Sequence, residues 1–80
     1  MLPAVMLLGT RVGDILIKDV GPMFLIWPVL VDRQLTPPPT PTIVDRRTDA
    51  IMRALTMARR SGGRVIELVR AGSCVAIRNP

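Results

Sequence analysis

The alternation of apolar and polar positions changes period twice along this chain, and each change marks an element. In "DILIKDV" (14–20) Ile15, Ile17 and Asp19 alternate with Leu16, Lys18 and Val20, a period of two that predicts a strand. "VGP" (20–22) is a turn signal, and the run from Met23 to Asp32 predicts a second strand, too short and too β-branched for a helix. Pro28 lacks an amide hydrogen, so this strand must lie at an edge or be bulged there. Residues 4–8 are expected to add a short strand.

From Asp45 the period becomes helical. Ala50, Ile51, Ala54, Leu55 and Ala58 form one apolar stripe, while Arg46, Asp49, Arg53, Thr56 and Arg60 fall opposite. Asp45 is the expected N-cap, with Thr48 as the fallback, and Gly62-Gly63 supplies the positive-φ stop. Asp49 and Arg53 are spaced for an i,i+4 pair. After Gly63 the period returns to two. With Ala71-Gly72 as a two-residue turn, Arg70 faces Ser73, Leu68 faces Val75 and Ile66 faces Ile77, which puts four aliphatics on one face. The other face, with Val65, Glu67, Val69, Cys74 and Ala76, is half polar and available to a partner.

Between these blocks, "QLTPPPTPT" (34–42) carries four prolines within Pro37–Pro41, which favour extended polyproline II. Pro38 and Pro41 make a minimal PxxP, and Thr36-Pro37 and Thr40-Pro41 are kinase-style dipeptides, but a stiff spacer is the favoured reading. The expected architecture is one α+β domain over residues 1–80: an N-terminal β-hairpin region (1–33), a proline-rich connector (34–42), and a helix with a C-terminal hairpin (43–80). The helix packs on one face of a four-stranded, mostly antiparallel sheet (β-β-α-β-β), over a core of Ile15, Ile17, Leu25, Val29, Ile51, Leu55, Ala58, Ile66, Leu68, Val75 and Ile77.

Composition narrows the chemistry. With 80 residues, one cysteine and no histidine, the chain can form neither an intrachain disulfide nor a zinc site of the usual Cys/His kind. Yet 49% of its residues are hydrophobic and the mean hydropathy is +0.38, an apolar excess that calls for an oligomer or a partner. Histidine and tyrosine are absent, Ser61 and Ser73 sit beside turns, Cys74 has no histidine base, and the six carboxylates are scattered. No catalytic residue, metal site, cofactor or small-molecule substrate is expected. Ser61-Gly62-Gly63 follows its helix, whereas a phosphate loop precedes one. Arg11 follows the apolar start instead of preceding it, and "MFLIWPVLV" (23–31) is short for a membrane span, so a soluble, cytoplasmic chain with no membrane partner is expected.

All of the net charge, +5, lies in residues 45–80, where eight arginines face Asp45, Asp49 and Glu67. Ten arginines against one lysine are also what GC-rich codon usage produces. Arg46, Arg53 and Arg60 recur every seven residues and, with Arg64, could track a phosphate backbone. Phe24 and Trp27 are the only aromatics and lie in the neutral half, which disfavours binding by stacked bases. The sequence therefore points first to a non-enzymatic interaction module that self-associates or binds an acidic protein, with Val65, Val69, Cys74 and Ala76 as interface candidates. Nonspecific nucleic-acid binding through Arg46, Arg53, Arg60 and Arg64 is the alternative.

Trp27, Val29, Asp45, Ala50, Ile51, Ala54, Ala58, Gly63 and Gly72 resemble a pattern found in very small bacterial and phage domains of unknown function. In those, a W-x-V strand precedes a helix and a hairpin. The resemblance covers roughly residues 27–78 and implies a β-β-α-β-β fold with no known activity. The proline-rich insert, the apolar N-terminus and the lack of a histidine-containing strand end depart from it.

Overall fold

A computed structural model describes residues 9–68 and 74–77 of the chain. The order is β1 (Ile15–Asp19), β2 (Phe24–Pro28), β3 (Thr42–Val44), α1 (Arg47–Ser61), β4 (Val65–Leu68) and β5 (Cys74–Ile77). The strands form one sheet in the order β3-β2-β1-β4-β5, and α1 packs on it. The α+β class, the helix on one face and the predominance of antiparallel pairing are those expected. The sheet also gains β3, a short edge strand where the sequence suggested only a connector. Its pairing is mixed, because β4 runs parallel to β1. The suggested strand at 4–8 and the turn at Ala71-Gly72 lie outside the described residues.

Local chemistry explains the first hairpin. Val20 N–H donates to Met23 O at 3.0 Å, which leaves Gly21 and Pro22 as the two central residues. Gly21 has φ +100°, a left-handed backbone that glycine adopts without a Cβ penalty. Its N–H donates to Asp19 Oδ1. Pro28 pairs with Ile15, but β3 reaches along β2 only as far as Ile26. At Pro28 the strand is therefore locally an edge, and the missing amide hydrogen costs no ladder bond.

The helix stops as expected and starts differently. Gly62 adopts φ +74°, and the N–H groups of Gly62 and Gly63 both donate to Ala58 O. At the other end, Arg46 is the N-cap with extended backbone and no side-chain cap, so neither Asp45 nor Thr48 serves. A tertiary contact ties this end down instead: Arg47 Nη2 donates to Glu67 Oε1 at 2.7 Å. That carboxylate offsets an arginine in the first turn, where the helix dipole disfavours a cation. Asp49 and Arg53 do not form the ion pair their spacing allows; among the described residues the ion pairs are Arg47–Glu67 and Arg64–Asp14.

Two cores replace the single one expected. Beneath α1, Ile15, Ile17, Ile26 and Val65 pack against Ala50, Ala54 and Ala58, flanked by Phe24, Val44, Ile51, Leu55, Met57 and Ile77. Three alanines at four-residue spacing let the helix backbone approach the sheet closely. The second cluster holds Leu16, Trp27, Val29 and Ile66, with Leu25 and Leu68 packed beside them. Alternation puts it on the face turned away from the helix.

The C-terminal hairpin is consequently one residue out of the expected register. Val65 pairs with Ile77, Ile66 with Ala76, Glu67 with Val75 and Leu68 with Cys74. Ile66 and Leu68 thus leave the helix face, and Val65 and Ile77 occupy it. The physical reason lies in β1. Parallel pairing sets Ile15 against Val65 and Leu16 against Ile66, so the helix-facing isoleucines of β1 select Val65. "RVIELVR" carries large aliphatic residues on both faces, with Glu67 the single charge between Val65 and Val69, so its own alternation did not fix which face meets the helix.

Candidate interaction surface

Among the described residues the most connected polar side chain is Asp14, which the sequence pattern did not single out. It immediately precedes β1, and its side chain is only 3% exposed. Arg64 grips it with a two-pronged fork: Nη2 donates to Oδ2 at 2.6 Å and Nε to Oδ1 at 3.1 Å. The backbone N–H groups of Arg64 and Arg11 donate to the same carboxylate at 3.0 and 2.8 Å. Burial pushes the carboxyl up, but the Arg64 side chain and the two backbone N–H donors outweigh it and hold Asp14 below the usual aspartate range. The hydrogen bond to Asp14 likewise raises the Arg64 guanidinium.

Backbone bonds complete this clasp. Ile15 N–H donates to Arg64 O and Val29 N–H to Asp14 O, each at 2.8 Å. Ser61 Oγ donates to Gly13 O at 2.6 Å. Gly63 lies so close to Gly13 that a Cβ there would overlap the Gly13 carbonyl. Each hydrogen bond is satisfied within the chain, so the clasp locks the start of β1 to the start of β4.

The expected arginine row is thereby reduced. Arg46 at the N-cap and Arg53 and Arg60 on α1 are exposed, but Arg64 is committed to Asp14 and does not extend the row. Val65, named as an interface candidate, is 2% exposed and packed under the helix, so it is a core residue. Val69 lies outside the described residues. Cys74 and Ala76 belong to β5, opposite Leu68 and Ile66 in the register.

An open surface feature lies instead at the opposite sheet edge. A groove of about 600 Å³ runs between β3 and α1, lined by Pro22, Met23, Ile43, Val44, Asp49 and Arg53, together with Asp45 and Met52. A second hollow of about 280 Å³ adjoins it through Met52 and Arg53 and reaches Thr42, Thr56 and Met57. Ile43 and Met52 are 57% and 63% exposed. Methionine walls adapt to differently shaped partners. Sequence reasoning passed over this region because Thr42–Val44 is only three residues long and follows a proline run.

Among the described residues no group of three or more His, Cys, Asp or Glu is placed to hold a metal ion, and no helix is long and apolar enough to cross a membrane. Comparison with protein-family models, with curated proteins and with solved structures finds no match.

Proposed function

We propose that this chain is a small, non-enzymatic, cytoplasmic interaction module that associates with copies of itself or with an acidic protein partner. The observation carrying this reading is the groove beside β3, where exposed Ile43 and Met52 adjoin a sheet edge that no other described strand pairs. A sheet edge offers backbone donors and acceptors, and an apolar trough beside it offers surface to bury. The basic helix supplies long-range attraction for an acidic partner. A phage or mobile-element source belongs to the same proposal and rests on the sequence resemblance.

Arg46, Arg53 and Arg60, exposed on one helix, favour a second reading: weak binding to a nucleic-acid backbone. The two separate by titrating labelled duplex DNA and a glutamate-rich peptide at several salt concentrations. Three phosphate contacts give a log–log salt slope of about −2.7 for DNA. A slope that steep, with no peptide binding and no self-association, would replace the module reading. Peptide binding or self-association without DNA binding at low salt supports it.

A further inference from the structure

The interaction-module reading leaves the occupant of the β3 groove unnamed, and the groove's own charges select one. We propose that β3 pairs antiparallel with β3 of a second copy across a twofold axis, so that one continuous sheet runs through both molecules. This proposal rests on the module reading and goes further by naming both surface and partner.

Four observations support it. First, among the described residues β3 is the outermost strand, bonded to β2 on one side only, so no described strand pairs with its outer backbone groups. Second, it is bounded by Pro41, which lacks an N–H, and by the start of α1, so it offers a short ladder and not a long fibre-forming edge. An isologous pairing of one edge with itself closes at two copies. Third, the dyad would pass at Ile43, setting Thr42 opposite Val44 and each Ile43 beside its counterpart. This covers an isoleucine now 57% exposed.

The fourth is charge. The chain carries +5, so two copies repel over most of their surface. Asp45, Asp49 and Arg53, the charged lining of the groove, sum to one negative charge. The groove therefore lacks the excess positive charge that makes two copies repel elsewhere, and any attraction across it must come from Asp49 meeting Arg53. A dyad normal to the sheet lays the two helices antiparallel on one side and turns Asp49 of each copy toward Arg53 of the other. The same two aspartates disfavour an acidic peptide in the groove.

Sedimentation and light scattering from micromolar to millimolar concentration test this. The expected mass is twice 8.8 kDa, dissociating on dilution. Ile43→Lys should remain folded by circular dichroism and weaken the dimer by at least about tenfold, since a charge on an edge blocks pairing. If that variant fails to fold, Met52→Lys, at a helix position 63% exposed, carries the same expectation. Arg53→Asp should weaken association, and adding Asp49→Arg in the same chain should restore it. A wild-type monomer at millimolar concentration overturns the proposal, as does a folded Ile43→Lys variant that stays dimeric. A monomer that still binds the glutamate-rich peptide refutes the dimer and leaves the module reading standing. A monomer that binds neither refutes both.

Discussion

Replacing Asp14 by asparagine keeps the side-chain shape and removes the charge at the most connected point of the fold. The wild-type carboxylate accepts from Arg64 Nη2, Nε and N and from Arg11 N. The amide turns an NH₂ toward two of these donors and leaves the guanidinium without its anion. Removing one partner of a fully buried pair costs about 3–5 kcal/mol. Here the Arg64 side chain is 36% exposed and recovers part of that by hydration, so the expected loss is about 2–3 kcal/mol, the range of hydrogen bonds to charged groups. For a domain of this size that lowers Tm by about 10–20 °C. Trp27 is the single tryptophan and is fully buried, so its fluorescence reports urea and thermal unfolding directly.

The acid limb gives an independent arm. The folded-state pKa of Asp14 is depressed, so its contribution is fully present above the unfolded aspartate value of about 3.9 and is lost as pH falls through the lower folded value. Wild type should lose stability steeply below about pH 4, and the asparagine variant should lose less there. Arg64→Met should be as damaging as Asp14→Asn, and the double variant should fall short of the sum because both remove one interaction. A loss under about 0.5 kcal/mol, or additive single effects, would show that the clasp contributes nothing special.

Two further substitutions probe separate links. Gly63→Ala forces a methyl group onto the Gly13 carbonyl and should cost at least about 1–3 kcal/mol in urea melts, whereas a neutral effect would contradict the close approach of the two loops. Arg46→Asp places an N-cap acceptor at a helix start that lacks one, and should raise stability by about 1 kcal/mol if the helix begins at Arg47; no gain would place the start elsewhere.

Local chemistry alone determined a good deal of this protein. Two-residue periodicity located β1, a short β-branched apolar run located β2, the Val20–Pro22 signal their turn, and the alanine-isoleucine-leucine stripe with Gly62 the helix and its stop. These signals lie within a few residues of the elements they define, so any chain carrying them reads the same way. Tertiary structure decided what such signals leave open. Strands apolar on both faces do not say which face meets the helix, and the parallel pairing of β1 with β4 settled that for Val65 and Ile66. Likewise Asp14 and Arg64 are 50 positions apart, and nothing in the neighbourhood of either marks the other. Thr42–Val44 became a strand only because β2 offered it an edge. Periodicity describes how one segment divides its own residues between two sides. Which side is buried, and against what, depends on the free energy of contacts between segments, which exist only once the chain has closed on itself.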